Sequence, residues 1–380
     1  MRIMLSAGEA SGDMHGADLV RELLSRAPGA ELFGMGGPMM RDAGVELLFN
    51  PASMSTVGFV ESLRSVHVLR RVLQRLGDAM DQRRPDVLVC VDFPGFNMRL
   101  AEMAHRRGIP VVYYFAPTVW AWGRGRADKL ARLGVVILSV FPFEAEAYAR
   151  AGAEVEFVGH PLVDRVRPAV SRDEARRELG VAPDEILVAL LPGSREQELR
   201  QLLLPMMDAA TRIRQARPSA RFALPVAHTL TARSVSQLAG PGAEPPVIIV
   251  EGRTYDVLNA ADAALISMGT ATLEAALLGV PHVACYKLSA ATFQLAKRLV
   301  RIPHKAMPNI LAGRRIVPEL LQGEASGERM ARELLAMLEP ERAAEVRRAL
   351  AEVRPALGEP GAAGRAAEAV LARAGRAGMA

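Results

Sequence analysis

The feature that most constrains the fold is a repeated alternation of short apolar runs with longer amphipathic segments. This pattern is typical of parallel strands that are connected by helices. In the first half we predict strands at Arg2–Ala7, Glu31–Gly34, Asp86–Asp92, Ile109–Phe115, Val135–Val140 and Val155–Val158. In the second half we predict them at Ile186–Pro192, Arg221–Pro225, Val247–Val250, Ala263–Ser267 and Val280–Tyr286. The fold class that follows is α/β.

The strands form two series, separated by a segment after Gly159 that contains two prolines and a run of charges. Two series of similar size predict two doubly wound, Rossmann-like domains that face each other across a cleft. The length of 380 residues is sufficient for two cores of ordinary size. We predict a first domain at 1–165, a second at 166–335, and C-terminal helices with a loose Gly/Ala tail at 336–380.

The two cysteines indicate a reducing compartment. Cys90 and Cys285 lie far apart inside apolar runs, so we predict that they are core residues rather than a disulfide or a metal pair. The longest apolar run, Leu133–Phe143, is shorter than the ~18 residues that a membrane-spanning helix needs. We therefore expect no segment that crosses a bilayer.

The charge balance indicates an anionic partner. The net charge is +5 and the arginines are clustered, as proteins that bind anions require. Nucleic acid is disfavoured because few aromatic side chains are available for stacking on bases. An anionic membrane face or a phosphorylated substrate fits the charge at least as well, and an arginine-rich solvated surface is the alternative.

Two glycine-bearing turns in the second half predict a diphosphate site. They are LLPGSREQEL, with Gly193, Ser194 and Arg195, and LISMGTATLEAALLGVP, with Ser267, Gly269 and Thr270. In each, a strand ends, small residues expose backbone amides, and a helix N-terminus follows. A charge-assisted bond of about 1.5–3 kcal/mol exceeds the helix-dipole contribution of roughly 0.3–2 kcal/mol, so the arginine should dominate. The alternative is that both are ordinary tight turns.

Other nucleotide motifs are missing. Neither turn reads GxxxxGK[ST], and FGMGGPMM fails the dinucleotide fingerprint because Met39 replaces its third glycine. A nicotinamide cofactor is therefore not expected. The histidines are scattered and no Asp-x-Asp occurs, so we predict no metal ligands.

Four acids are candidates for chemistry. Asp92 ends an otherwise apolar strand, where a carboxylate either caps a helix or serves as a general base. Glu9 and Asp13, in the opening AGEASGDMHGAD turn, are competing candidates for this role. Glu274 lies one or two helical turns beyond Gly269, where it could accept hydrogen bonds from a ribose or simply favour the helix dipole.

The segment Val57–Met80 predicts a basic amphipathic helix. Apolar residues recur at helical spacing, and arginines and a histidine lie between them. One interpretation is a helix packed on the core with an exposed arginine face. The other is an interfacial helix inserted into anionic lipid.

Nine segments in order resemble the lipid-A-disaccharide synthase family: AGEASGDMHGADL, VDFPGFN, APTVWAWGRGR, FPFE, FVGHPL, LLPGSR, DAALISMGTATLEAALLGVP, FQLAKRLV and MPNILAGRRIVPELLQ. The resemblance extends to about Gln322. It implies a GT-B-type glycosyltransferase, inverting and metal-independent, without a cofactor. It also implies a peripheral, cytoplasmic location on the inner membrane and a homodimer that exchanges C-terminal portions.

The resemblance also implies the reaction. UDP-2,3-diacylglucosamine and 2,3-diacylglucosamine 1-phosphate (lipid X) would give the β(1→6) lipid A disaccharide 1-phosphate and UDP. With acylated substrates, the interfacial interpretation predicts that Val60, Leu63, Val66 and Leu69 contact lipid. A water-soluble UDP-sugar enzyme, similar to UDP-N-acetylglucosamine 2-epimerase, and a basic nucleic-acid-binding protein are the rival interpretations.

The resemblance assigns roles to individual residues. It makes Asp92 the base, Glu9 and Asp13 acids of the first turn, and Arg195 the nucleotide-side arginine. Glu274 would contact UDP, and Asn309 is the asparagine of the MPNILAGR motif. Two residues depart from the family's usual pattern. Met268 replaces a common serine, so that Ser267 or Thr270 would have to replace its hydroxyl, and Gly95 replaces a common acid.

Overall fold

The computed structural model describes residues 1–51, 62–119, 124–240, 242, 244–288 and 303–377. The chain divides into two compact units. The first comprises Met1–Asp164 together with Leu357–Ala380, and the second comprises Arg165–Ala356.

Each unit is built on a parallel sheet. The first contains β1 (Arg2–Ala7), β2 (Glu31–Met35), β3 (Glu46–Phe49), β4 (Val87–Val91), β5 (Val111–Tyr114), β6 (Val136–Ser139) and β7 (Glu154–Phe157), in the order β3-β2-β1-β4-β5-β6-β7. The second contains β8 (Ile186–Leu191), β9 (Ala220–Val226), β10 (Val247–Glu251), β11 (Ala263–Ser267), β12 (His282–Tyr286) and β13 (Glu319–Leu321), in the order β10-β9-β8-β11-β12-β13. The predicted α/β fold with two parallel sheets is confirmed.

Helices connect the strands. In chain order they are α1 (Ala10–Arg26), α2 (Pro38–Asp42), α3 (Ser62–Arg83), α4 (Pro94–His105), α5 (Arg124–Arg132), α6 (Pro142–Arg150), α7 (Leu162–Arg165), α8 (Arg172–Glu178), α9 (Glu196–Ala216), α10 (Ala232–Ala239), α11 (Thr254–Ala260), α12 (Thr270–Leu277), α13 (Met307–Ala312), α14 (Gly327–Leu338), α15 (Pro340–Ala351) and α16 (Ala362–Ala377). Short 3₁₀ turns lie at Gln322–Glu324 and Pro355–Leu357.

Both faces of the first sheet are buried, which is why its central strands are apolar without alternation. All five residues of β4 are buried. One core cluster joins the sheet to α1 and α16, and a second joins its other face to α3, α4 and α6. Cys90 and Cys285 are free and buried, as predicted for core residues.

Helices and a tail were predicted for 336–380, and residues 362–377 of that segment are helical. They form α16, whose alanine-rich face is buried against α1 and the first sheet, including Ala366, Ala367 and Val370. Alanine is both a strong helix former and small enough for close packing, so a composition that suggests a linker here forms a core helix. The predicted segment 336–380 is thereby divided between the two units.

The described part of α3 packs on the core. Val72 and Leu76 are buried, and Leu69 is half-buried against the same cluster. Arg70, Arg71 and Arg75 are exposed, so this part has the exposed arginine face of the packing interpretation. Val60 and the side chains of Leu63 and Val66 lie outside the described residues. In the part of the chain that the structure describes, no helix has the length and apolarity to span a membrane.

Candidate active site

The turn after β4 has a strained backbone. Asp92 and Phe93 have φ values of 51° and 49°, a left-handed backbone conformation that residues other than glycine rarely adopt. The side-chain amide of Asn97 donates to the carbonyl oxygens of Asp92 at 2.8 Å and Ser6 at 3.0 Å. The hydroxyl of Tyr113 also donates to the carbonyl oxygen of Asp92, at 2.9 Å. Side-chain hydrogen bonds therefore hold the strained turn, and such strain is concentrated at functional sites.

The carboxylate of Asp92 is held much less firmly than its backbone. The hydroxyl of Ser11 lies 3.4 Å from Oδ2, at the long limit of a hydrogen bond. Burial raises the pKa of Asp92, and hydrogen bonds from the Phe93 amide and Ser11 partly oppose this shift. A carboxylate whose pKa is raised toward neutrality is a more effective general base.

Gly8 in the opening turn makes room for the Asp92 turn. A Cβ on Gly8 would lie 2.1 Å from the nearest atom of the Phe93 ring. A Cβ on Gly12 would lie 3.4 Å from the carbonyl oxygen of Val91, an ordinary van der Waals distance. Gly8 is therefore the glycine of this segment that the close approach of Phe93 requires.

Asp13 has a capping role in the structure. Its buried carboxylate accepts hydrogen bonds from the backbone amides of Gly37 at 2.8 Å, Met39 at 3.0 Å and Met40 at 3.0 Å. These amides lie at the start of α2. A carboxylate with three amide donors is strongly stabilised where it is, so Asp13 holds the β2–α2 turn. Glu9 is an exposed residue that precedes α1 as its N-cap.

An aromatic and histidine cluster lies at the same edge of the first sheet. The rings of His15 and Phe115 are stacked with centroids 4.0 Å apart, and the ring of His160 lies 5.8 Å from Phe115 and 4.9 Å from Phe141. Burial lowers the pKa of His160 to about 4, and its Nδ1 accepts a bond from the Leu162 amide. His160 is therefore neutral. The sequence analysis missed this cluster, although Phe115 ends one predicted strand, Phe141 directly follows another and His160 comes two residues after a third.

The first glycine turn of the second unit contains a carboxylate that the sequence analysis did not consider. Oε2 of Glu198 accepts bonds from the amides of Ser194 at 3.0 Å and Arg195 at 3.3 Å. Oε1 of Glu198 accepts from Nη1 of Arg195 at 3.1 Å. Gly193 has a φ of 127°, which favours glycine. The turn thus presents the guanidinium group of Arg195 to solvent, while its amides bond to Glu198.

The second glycine turn follows β11. Ser267 is buried, and its hydroxyl has no hydrogen-bond partner among the residues that the structure describes. Gly269 and Thr270 are exposed at the start of α12. The amide of Met268 donates to the carbonyl of Cys285 at 2.8 Å, so the residue in the family's serine position continues the sheet ladder.

Glu274 is paired with a tyrosine. The hydroxyl of Tyr255 donates to Oε1 of Glu274 at 3.0 Å. Burial raises the pKa of Glu274, while the Tyr255 bond and the charge of Arg165 oppose the shift. Among the described residues the hydrogen bond from Tyr255 uses Oε1 only, and a carboxylate has a second oxygen that can accept, as contact with a ribose would require.

Asn309 makes all four hydrogen bonds that its side-chain amide allows. Nδ2 donates to the carbonyl of Val317 at 2.9 Å and to Oε1 of Glu319 at 2.8 Å. Oδ1 accepts from the amides of Ile316 at 2.7 Å and Val317 at 2.9 Å. Oε1 of Glu319 also accepts from two amides that precede α13, those of Lys305 and Ala306. Asn309 therefore ties α13 to the loop before β13.

Comparison with known proteins identifies the family. A family model described as lipid-A-disaccharide synthetase matches residues 3–372. The chain belongs to the lipid-A-disaccharide synthase family. A lipid-A-disaccharide synthase of Geobacter sulfurreducens is 45% identical, over 99% of this chain and 98% of that protein. One of Anaeromyxobacter dehalogenans is 46% identical, over 97% of each chain.

Solved structures with low sequence identity share the fold of this lipid-A-disaccharide synthase family member. UDP-GlcNAc 2-epimerase from Neisseria meningitidis, bound to UDP-GlcNAc, has a TM-score of 0.66 at 12% identity and covers 98% of this chain and 100% of its own. The calicheamicin glycosyltransferase CalG4 has a TM-score of 0.61 at 16% identity, covering 99% and 98%. These similarities confirm the predicted GT-B type of fold. Among the described residues, no group of three or more His, Cys, Asp or Glu side chains is arranged to hold a metal ion.

Proposed function

We propose that this protein transfers 2,3-diacylglucosamine from UDP-2,3-diacylglucosamine to 2,3-diacylglucosamine 1-phosphate, and releases UDP. The product is the β(1→6) lipid A disaccharide 1-phosphate. The observation that carries the proposal is the nearly full-length match to relatives named lipid-A-disaccharide synthase.

Asp92 is the general base of this reaction. Its carboxylate takes the proton of the acceptor's 6-hydroxyl as that oxygen attacks the anomeric carbon of the donor. The bond from the anomeric carbon to the UDP oxygen breaks, and its electron pair leaves with UDP, so the configuration is inverted. General-base catalysis by a positioned side chain contributes about 10²–10⁴ in rate. The raised pKa and the strained turn that fixes Asp92 support this role.

The second unit binds the donor nucleotide. Arg195 neutralises charge that develops on the departing diphosphate, a role that its exposed guanidinium group supports. Gly269 and Thr270 add the N-terminus of α12. Glu274 accepts hydrogen bonds from the ribose, with Tyr255 fixing its orientation. In this mechanism the cations and amides do the work of a metal ion, and the reaction is independent of metal.

The protein meets its substrates at the cytoplasmic face of the inner membrane. Each buried CH₂ of an acyl chain contributes roughly 0.8 kcal/mol, so drawing a long chain fully into water costs on the order of 10 kcal/mol. The exposed Arg70, Arg71 and Arg75 on α3 supply charge for anionic headgroups. Because Leu69 packs on the core, the apolar contact with lipid rests on Val60, Leu63 and Val66.

The protein also forms a homodimer that exchanges C-terminal portions. Exchange replaces contacts within a chain by the same contacts between chains. The packing of α16 against α1 is a contact of this kind, because α16 is a separate terminal helix. Molar mass from light scattering, with and without residues 357–380, tests this proposal.

The function is tested with purified protein, both acylated sugars and detergent, with and without EDTA. We expect UDP release that requires both sugars and persists in EDTA. The alternative is a UDP-N-acetylglucosamine 2-epimerase activity, since such an epimerase has the same fold. Incubation with UDP-N-acetylglucosamine alone tests it. Isomerisation of that sugar without UDP release, or no release of UDP from the acylated pair, would contradict the proposal.

A further inference from the structure

The turn that joins β8 to α9 contains a carboxylate, Glu198, that the mechanism above does not use. We propose that Glu198 is a positioning residue, which holds Arg195 in the orientation that receives the donor's diphosphate. This inference rests on the proposed function, since it assigns a role within the same nucleotide site.

The hydrogen bonds of Glu198 divide between the backbone and the side chain of the turn. Oε2 accepts from the amides of Ser194 and Arg195, at 3.0 and 3.3 Å. Oε1 accepts from Nη1 of Arg195, at 3.1 Å. The Glu198 side chain is 16% exposed, whereas that of Arg195 is 74% exposed. One shielded carboxylate therefore fixes both the turn and the direction of an exposed cation.

The glycine of the turn is required by Glu198. A Cβ on Gly193 would lie 2.4 Å from Oε2 of Glu198 and 2.5 Å from its Cβ. The pattern of Gly193 followed five residues later by Glu198 thus reflects close packing of the carboxylate. The glycine alone predicts an open cradle for phosphate, but the structure fills that cradle with a side chain.

This packing changes which groups can recognise the diphosphate. The amides of Ser194 and Arg195 already have an anionic acceptor, and a phosphate in the same place would be repelled by it. A guanidinium has five N–H donors, and Glu198 takes one of them. The diphosphate is therefore recognised by the outward edge of Arg195. The alternative is that Glu198 occupies the phosphate position only while the nucleotide is absent, and that the diphosphate displaces it.

The test compares Glu198→Gln with Glu196→Gln. Both changes remove one negative charge from the first turn of α9, but Glu196 is exposed and pairs with Arg200 rather than with the turn. Loss of the charge alone would strengthen UDP binding, and more so at the shielded Glu198, so weaker binding by Glu198→Gln has to come from the lost orientation of Arg195. Glutamine at 198 keeps an oxygen for the two amides and presents an NH₂ group to Arg195, so only the bond that orients the guanidinium is lost.

The readout is the dissociation constant of UDP and of uridine, measured by titration calorimetry. Relative to Glu196→Gln, we expect Glu198→Gln to bind UDP about 3- to 10-fold more weakly, the size of one hydrogen bond, and uridine equally well. In an Arg195→Ala background the Glu198→Gln change should have no further effect. Equal or tighter UDP binding by Glu198→Gln would show that the diphosphate displaces the Glu198 side chain, and would overturn the inference.

Arg195→Lys keeps the inference falsifiable if Glu198→Gln does not fold. Lysine retains the positive charge but not the planar fork that Glu198 orients. We expect it to lose UDP affinity without losing uridine affinity, whereas wild-type affinity for UDP would contradict an orienting role. Wild-type protein that binds no UDP at all would instead refute the proposed function.

Discussion

The turn after β4 in the first unit and the turn after β8 in the second unit use carboxylates in opposite ways. After β4, Asn97 and Tyr113 hold the backbone, and within the described ranges the Asp92 carboxylate has one side-chain donor, the Ser11 hydroxyl at 3.4 Å. After β8, the Glu198 carboxylate holds the backbone, and the Arg195 side chain is exposed. In both turns the backbone is fixed by polar side chains, and the group with the fewest partners is the one that we expect to act.

The same rule separates the two acids that compete for the role of base. Asp13 accepts three amide hydrogen bonds, whereas Asp92 is half-buried, weakly bonded and raised in pKa. The three amide donors fix the Asp13 carboxylate at the start of α2, so its oxygens are already engaged in holding the fold. The comparison therefore assigns proton transfer to Asp92 and structural support to Asp13.

The largest expected effect is that of Asp92→Asn on turnover. We expect kcat to fall by about 10²–10⁴ because the base is lost. The free energy of unfolding of Asp92→Asn should instead be higher than that of the wild type. The pKa of Asp92 is raised on folding, so its contribution to stability is present below the unfolded pKa and is lost as the pH rises through the folded pKa. Asparagine does not ionise, so the cost of burying a charged carboxylate disappears. Asparagine also tolerates positive φ.

The measurement is UDP release together with thermal melts between pH 4 and 8. The melting temperature of Asp92→Asn should exceed that of the wild type, with a margin that widens as the pH rises. Retained turnover, or a margin that narrows toward neutral pH, would contradict the assignment.

A smaller effect, on stability rather than chemistry, is expected for Asp13→Asn. Asparagine can accept at one oxygen only, so at least one of the three amides at the start of α2 loses its partner. Leaving a buried donor unsatisfied costs about 1–3 kcal/mol, and the partly buried bond of Met39 places this change at the low end of that range. Denaturant unfolding should show this loss, and kcat per folded molecule should stay within a few-fold of the wild type. A drop in kcat that matches Asp92→Asn, with unchanged stability, would reverse the two roles.

Asn309→Ala extends the comparison to the second unit. The structure gives this asparagine four internal bonds, so we expect destabilisation of about 2–3 kcal/mol from the unsatisfied amides of Ile316 and Val317. Calorimetric titration at a temperature where the variant is folded should give a UDP affinity close to that of the wild type. A folded, stable variant that no longer binds UDP would show that Asn309 contacts the nucleotide directly.

The smallest effect is expected for Tyr255→Phe. The tyrosine hydroxyl opposes the burial that raises the pKa of Glu274, so its loss should raise that pKa further. One neutral hydrogen bond contributes about 0.5–1.5 kcal/mol, which corresponds to a donor KM about 2- to 10-fold higher. The increase should be greatest at low pH, where more of Glu274 is protonated. A KM that changes equally at all pH values would exclude an effect through Glu274.

The sequence predicted the central strands of both sheets because continuous apolar runs are sufficient to identify strands that are buried on both faces. It missed β3 and β13, which lie at sheet edges. The residues of β3 are half-buried or exposed, and β13 has three residues, so neither presents a clear pattern. An edge position alone does not hide a strand, because the edge strands β7 and β10 were predicted from their valines and isoleucines.

The candidate site divides in the same way. Asp92 was identifiable because it directly follows an apolar strand, and Arg195 because it lies in the glycine turn after one. The roles of Asn97 and Asp13 depend on partners that are distant in the sequence, such as Ser6, 91 residues away, and Gly37, 24 residues away. Glu198 is close to its partners in sequence, and its position at N3 of a helix was the available signal.

The most direct test of the claim that the under-bonded carboxylate acts is the pH dependence of kcat/KM for the acceptor. The wild type should show an acidic limb with an apparent pKa above the usual value of about 3.9 for aspartate. Ser11→Ala should move this limb to higher pH, because the hydroxyl that lowers the pKa of Asp92 is removed. A limb that stays at the same pH in Ser11→Ala and persists in Asp92→Asn would contradict the account.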